Sequence, residues 1–67
     1  MKVVFYHQAF CGMCKTIEMM LNKKGIEYDS VMDMDKMKSS GVTCTPTLDV
    51  DGKRYSKKEC LDWVKEQ

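Results

Sequence analysis

The first part of the chain predicts a strand and a helix from the spacing of its apolar residues. Residues 2–6 contain the unbroken apolar run Val3-Val4-Phe5-Tyr6, which is typical of a buried strand. From Lys15 to Lys24 the apolar spacing is helical, and Gly25 suits the left-handed residue that ends many helices. This spacing places Ile17, Met20, Leu21 and Lys24 on one stripe of the helix, with Met13 and Thr16 beside it.

The rest of the chain predicts a strand, a short helix and a hairpin. Apolar residues alternate over 26–32, which predicts a strand parallel to the first, reached through a right-handed crossover. Residues 33–40 predict a short helix, because Met34, Met37 and Lys38 have helical spacing and Gly41 follows. Residues 47–50 and 53–55 predict two strands, joined by the two-residue hairpin turn Asp51-Gly52.

A final helix is predicted after the hairpin. Ser56 and Glu59 have the spacing of a capping box, with Ser56 as the N-cap and Glu59 at the third helical position. This helix is expected to bury Cys60, Leu61 and Val64, with Trp63 partly covering an edge. The predicted element order is therefore β-α-β-α-β-β-α, and the fold class is α/β.

Size and charge narrow the function classes. The 67 residues suffice for one domain, over residues 1–67, with a small core. The net charge of +1 favours neither nucleic acid nor an anionic membrane as a partner. The apolar runs are too short to span a membrane, and the first residues do not resemble a signal peptide. Because the four cysteines are irregularly spaced, we expect reduced thiols in the cytoplasm rather than a secreted disulfide scaffold.

Cys11-Gly12-Met13-Cys14 is the strongest chemical signal in the sequence. The two thiols lie three residues apart where the first predicted strand meets the first predicted helix, so they share one face of the first helical turn. There they can close into a disulfide and reopen, and the positive end of the helix stabilises the thiolate of Cys11. A CxxC motif near a βαβ pattern indicates thioredoxin-like redox chemistry.

The element order, the CxxC motif and Thr45-Pro46 before the third strand together resemble the glutaredoxins over essentially the whole chain. The resemblance implies a thioredoxin-like fold, with a four-stranded mixed sheet flanked by three helices and a cis Thr45–Pro46 bond that faces the redox site. It implies a thiol–disulfide oxidoreductase that reduces disulfides or glutathionylated thiols. Cys11 would be the attacking nucleophile and Cys14 the resolving thiol.

Glutathione is the co-substrate that the resemblance implies, with no tightly bound cofactor or metal and with the protein expected to be a monomer. The residues that would bind it are Gln8, Met13, Thr45, Pro46, Lys58 and Glu59. Gln8 stands where many glutaredoxins have a lysine that pairs with the glycyl carboxylate, so the charge of that contact is missing. Thr45 would offer its backbone to glutathione as an added strand does. The γ-glutamyl carboxylate would lie at the start of the final helix, near Lys58 and Glu59.

Two other functions remain open from the sequence. Some relatives of the glutaredoxins donate electrons to ribonucleotide reductase and are recycled by thioredoxin reductase. Others carry an iron–sulfur cluster or a metal on the same thiols. Cys11 also occupies the position at which some glutaredoxins use selenocysteine.

The remaining cysteines and the single histidine receive more ordinary interpretations. Cys60 is expected to be a small buried residue, while Cys44 is expected near the redox site, where it could be oxidised or pair with Cys60. The spacing of the four cysteines does not suit zinc. His7 is expected to be a solvated loop side chain rather than a general base.

Overall fold

Seven elements follow one another in the predicted order in the computed structural model, which describes residues 1–67. They are β1 (Val3–Tyr6), α1 (Gly12–Lys23), β2 (Asp29–Val31), α2 (Met34–Ser39), β3 (Thr47–Val50), β4 (Lys53–Ser56) and α3 (Lys58–Lys65). No helix among them has the length and apolar character needed to cross a membrane.

The four strands form one mixed sheet in the order β2-β1-β3-β4. β1 is central, runs parallel to β2 as predicted and antiparallel to β3. β3 and β4 form the predicted hairpin, in which Asp51 and Gly52 both have positive φ, 52° and 90°. Two positive φ values in a two-residue loop give the twist that antiparallel strands require.

The alternation of side chains along β1 divides the core between the two faces of the sheet. The larger cluster lies between the sheet and the helices α1 and α3, and includes Phe5, Ile17 and Leu48. The smaller cluster lies between the opposite face and the region of α2, and consists of Tyr6, Met37 and Val42. The molecule therefore has three layers, with two helices on one face and one on the other.

The C-terminus of α1 explains why β2 is shorter than predicted. Gly25 has φ of 68°, and its N–H donates to the Asn22 carbonyl at 3.1 Å. The Ile26 N–H donates back to the Leu21 carbonyl at 2.9 Å, which completes a Schellman motif. The Ile26 N–H is therefore used by the helix end rather than by the sheet, and β2 spans only Asp29–Val31 instead of 26–32.

The buried stripe of α1 differs from the prediction at both ends. Cys14 is buried together with Ile17 and Leu21, so the stripe begins at the second cysteine of the CxxC motif. Lys24 is exposed instead, and its Nζ donates to the carbonyls of Lys65 and Gln67 at 3.0 and 2.8 Å. The lysine thus joins the end of α1 to the end of the chain through hydrogen bonds rather than through packing.

The predicted capping box at α3 is wrong. Ser56 is the last residue of β4, where it pairs with Thr47, and no side chain caps α3. The N-cap is Lys57, with φ of 50°, and its N–H donates to the Pro46 carbonyl at 2.8 Å. The pairing of β4 with β3 therefore outweighs the local preference of serine for a helix start.

The buried face of α3 is also shifted from the one predicted. Cys60, Trp63 and Val64 are buried, and the Trp63 and Tyr55 rings lie 6.1 Å apart. Leu61, predicted to be buried, is only half-buried, whereas Trp63 belongs to the core rather than partly covering an edge. Spacing of three and four residues places the three buried side chains on one face of the helix.

Candidate active site

Cys11 is the N-cap of α1 and forms a disulfide with Cys14. The Cα atoms of the two cysteines are 5.1 Å apart, and the Cys14 N–H donates to Cys11 Sγ at 3.2 Å. Cys11 is half-buried, whereas Cys14 is 1% exposed and packs in the core. Cys11 is therefore the more accessible of the two cysteines, and the Cys14 amide in the first helical turn points at its sulfur.

His7 fixes the start of the loop that carries Cys11. Contrary to the prediction of a solvated side chain, His7 is buried and its ring stacks on Phe5, with centroids 4.5 Å apart. Its ring Nε2 forms a hydrogen bond with Ser30 Oγ, and its backbone N–H donates to the Val31 carbonyl at 3.0 Å. His7 thus continues the face of Val3 and Phe5 by one more alternate position, and it anchors the loop to β2.

The pairing of β1 with β3 brings the second predicted motif to the same end of the sheet as the CxxC motif. Tyr6 pairs with Thr47, so the loop after β1 and the loop before β3 leave the same edge. The Thr45–Pro46 bond is cis, as predicted, and Pro46 is buried while Thr45 is half-buried. Of the two residues, Thr45 is the one accessible to a ligand.

Gln8 and Thr45 line one groove, between the loop after β1, helix α2 and the loop before β3. The groove has a volume of about 370 Å³. Its other lining residues are Met34, Met37, Lys38, Val42, Thr43 and Cys44. Gln8 is exposed and its amide donates to Met34 Sδ at 3.0 Å. We call this feature the Lys38 groove, because Lys38 is the only charged residue that lines it.

The structure does not place the remaining predicted binding residues in the Lys38 groove. Met13 is 42% exposed on the first turn of α1. Lys58 and Glu59 are exposed at the start of α3, which the bond from the Lys57 N–H to the Pro46 carbonyl holds beside the Pro46 segment. Glu59 lines a separate depression on the side of Trp63. Gln8 and Thr45 thus line the Lys38 groove, whereas Lys58 and Glu59 lie at the start of α3.

Sequence reasoning did not assign Met34 or Lys38 to the candidate site. Both appear in the sequence only as part of the helical spacing of α2. Their approach to Gln8 and Thr45 depends on how α2 packs on the sheet, which no local pattern encodes. Their presence on one side of a short helix was the only available signal.

The other two cysteines are free thiols in the structure. Cys60 is fully buried, as predicted, and its S–H lies within donor distance of two carbonyl oxygens, of Tyr55 at 2.9 Å and Pro46 at 3.5 Å. Cys44 is half-buried, and its carbonyl accepts a hydrogen bond from Thr47 Oγ1 at 2.8 Å. The pairing of Cys44 with Cys60, left open by the sequence, is not formed.

Burial raises the pKa of Cys60 from its ordinary value of 9.0 to about 11, and the resulting pH dependence can be measured. A raised pKa means that the folded state holds the proton more tightly than the unfolded state. The contribution of Cys60 to the free energy of unfolding is therefore complete below pH 9. It is lost between about pH 9 and 11, which lowers the free energy of unfolding by at most about 2–3 kcal/mol. We expect urea denaturation to show this fall between about pH 9 and 11, and Cys60→Ala to remove it.

Tyr28 also contributes to the pH dependence of the free energy of unfolding. Burial raises its pKa as well, and the Glu18 charge adds to the effect. Its contribution is the same in wild type and in Cys60→Ala, so the difference between the two proteins isolates Cys60. Equal pH dependence in both proteins would contradict the assignment.

The site holds two sulfurs that can exchange a disulfide bond, and the Lys38 groove is lined by Gln8, three residues before Cys11 in the chain. The structure contains no group of three or more His, Cys, Asp or Glu side chains arranged to hold a metal ion. Two aspartates have structural uses: Asp33 caps α2, and Asp49 accepts from the Gly52 N–H in the hairpin.

Comparison with known proteins gives one informative result. No protein-family model matches the chain, and the search of curated proteins finds no match. Among solved structures, the chain is similar to a mutant of the thioredoxin-like protein BC3987, with a TM-score of 0.72 and 22% sequence identity. The alignment covers 94% of this chain and 97% of that one. The chain therefore has the thioredoxin-like fold, with its CxxC pair at the N-terminus of the first helix.

Proposed function

We propose that this protein is a thiol–disulfide oxidoreductase that uses Cys11 and Cys14. The observation that carries the proposal is the position of Cys11, a half-buried N-cap whose sulfur accepts the Cys14 N–H. In the reduced protein the same N–H and the positive end of α1 favour the thiolate, which is the attacking form of a cysteine. The thioredoxin-like fold supports the proposal.

The reaction proceeds in two exchange steps. The Cys11 thiolate attacks one sulfur of the substrate disulfide, the substrate S–S bond breaks, and one substrate thiolate leaves. Cys14 then gives up its proton and attacks Cys11 Sγ, which releases the second substrate thiolate. Two electrons pass from the protein to the substrate, and the protein ends with the Cys11–Cys14 disulfide.

Glutathione is the proposed electron source. Two glutathione thiols reduce the Cys11–Cys14 disulfide and leave as glutathione disulfide. Thr45, accessible beside Pro46, would bind the backbone of glutathione as a paired strand. The first amides of α3 have no side-chain cap, and Lys58 lies beside them, so they suit the γ-glutamyl carboxylate. Gln8 would add only a neutral hydrogen bond, worth about 0.5–1.5 kcal/mol.

The proposed electron source can be tested by a comparison of two recycling systems. We expect steady turnover of a disulfide substrate with glutathione and glutathione reductase, and little turnover with thioredoxin reductase. Consumption of NADPH reports both reactions. The opposite preference would contradict glutathione dependence and favour a carrier that thioredoxin reductase recycles.

Two variants locate glutathione on the protein. Gln8→Lys supplies a charge beside Thr45 and should lower the KM for glutathione several-fold, while kcat stays near that of wild type. Lys58→Glu should raise the KM, because it places a negative charge at the start of α3. If both variants leave the KM unchanged, glutathione does not bind across Pro46.

A further inference from the structure

Large apolar side chains are exposed next to Cys11 in the chain and in the Lys38 groove, more than glutathione alone requires. Phe10, directly before the nucleophile, is fully exposed, and Met13 and Met34 are 42% and 53% exposed. Glutathione is a small, polar molecule that has charged ends and no large apolar side chain with which to cover these residues. Aromatic and methionine side chains are enriched where proteins contact one another. Phe10, Met13 and Met34, which we call the apolar rim, therefore suit contact with a protein substrate.

The Lys38 groove adds a charge to this apolar rim. Met34 belongs to both the rim and the groove, and the amide of Gln8 contacts it. Lys38 is exposed, and no carboxylate lines the groove beside it. A segment that lies in the groove therefore meets one positive charge among polar and apolar groups.

The acidic residues near α2 do not neutralise the Lys38 groove. The Asp33 carboxylate faces the backbone of α2, where it accepts the N–H of Asp35 and of Lys36. Asp35 itself lines a different depression, together with Lys36. Lys36 and Lys38 are thus two exposed lysines on one helix that line different depressions, which makes Lys36 a matched control.

We propose that the Lys38 groove binds a segment of a protein disulfide substrate that carries an acidic side chain close to its target cysteine. The segment lies with apolar groups over Phe10 and Met34 and with its carboxylate on Lys38. This inference rests on the proposed thiol–disulfide exchange at Cys11 and adds the class of substrate. It concerns the substrate half of the reaction, so it is independent of the source of electrons.

A single-turnover experiment tests the proposal without glutathione or a reductase. Fully reduced protein is mixed with one of two synthetic peptides that contain a disulfide and differ only in Glu or Gln beside the target cysteine. One equivalent of protein dithiol reduces one equivalent of peptide disulfide, and acid-quenched samples give the second-order rate constant. We expect the Glu peptide to react about fivefold faster, the upper end of what one exposed ion pair contributes. The difference should shrink in about 0.5 M salt.

The variants assign this preference to Lys38. Lys38→Gln should bring the Glu peptide to the rate of the Gln peptide, whereas Lys36→Gln should keep the preference of wild type. Both lysines lie in the last turn of α2, so the two substitutions should affect the stability of the helix to a similar extent. Circular dichroism and thermal melting check that both fold.

Three outcomes would overturn the proposal. If wild type reduces both peptides at the same rate, the groove has no preference for an acidic segment, while the proposed thiol exchange at Cys11 stands. No reaction of wild type with either peptide would overturn the proposed function together with this inference. An effect of Lys38→Gln on the reaction of reduced protein with glutathione disulfide, but not on the Glu peptide, would assign the groove to glutathione instead.

Discussion

Cys11→Ser is expected to reduce turnover to the uncatalysed rate, whereas Cys14→Ser keeps measurable activity toward a glutathione mixed disulfide. Cys11 is the more accessible sulfur and lies at the positive end of α1, while Cys14 is buried one turn inside the helix. A serine hydroxyl is not ionised near neutral pH and cannot replace the attacking thiolate. Turnover with a glutathionylated peptide and excess glutathione measures both variants.

The contrast between the two variants tests their separate roles. With a glutathione mixed disulfide, free glutathione can resolve the intermediate on Cys11, so Cys14 is partly dispensable. With a protein disulfide, Cys14→Ser should instead trap the substrate on Cys11, and mass spectrometry should detect the adduct. Equal loss of activity in both variants with the glutathionylated substrate would contradict the assignment of nucleophile and resolving thiol.

Phe5→Ala is expected to unfold much of the protein. Phe5 lies on the central strand, is 0% exposed, and contacts the rings of His7 and Tyr28 at centroid distances of 4.5 and 5.7 Å. Truncation of a buried phenylalanine costs about 3–5 kcal/mol. At about 0.05–0.15 kcal/mol per residue, a chain of this length has a total stability of only about 3–10 kcal/mol. Urea denaturation followed by circular dichroism measures the loss.

Phe10→Ala is the matched control for this prediction, since it removes the same atoms from a fully exposed position. Its free energy of unfolding should stay within about 0.5 kcal/mol of wild type. A similar loss of stability in both variants would mean that Phe10 packs against the protein rather than facing a partner. That result would also remove the apolar rim on which the proposed substrate class depends.

The elements that the sequence predicts best are those with local causes. The bounds of β3 agree with the prediction because Asp51-Gly52 specifies a hairpin turn within two residues. The end of α1 at Gly25 has the same local origin, a residue that tolerates positive φ. The closeness of Cys11 and Cys14 is confirmed for a similar reason, since their spacing along one helical turn needs no tertiary contact.

The errors arise where distant residues decide the outcome. Ser56 favours a helix start locally, yet Thr47 holds it in the sheet from nine positions earlier in the chain. His7 is polar and follows a strand, yet Phe5 and Ser30 bury its ring. The Lys38 groove is invisible in the sequence for the same reason, because it exists only once α2 rests on the sheet.

Cys11 is both the N-cap of α1 and the proposed nucleophile, and this combination limits the reducing strength of its thiolate. Its sulfur is the proposed nucleophile and also accepts the Cys14 N–H at the start of α1. The free energy that this contact gives the thiolate beyond what it gives the disulfide stabilises the reduced protein relative to the oxidised one. A stronger contact would raise the fraction of Cys11 that is ionised. The same contact would make the thiolate less basic and a weaker reductant. Substitutions in the first turn of α1 would therefore change the reduction potential of the Cys11–Cys14 pair without any change in the cysteines. A weaker contact favours an electron donor, and a stronger contact favours an electron acceptor.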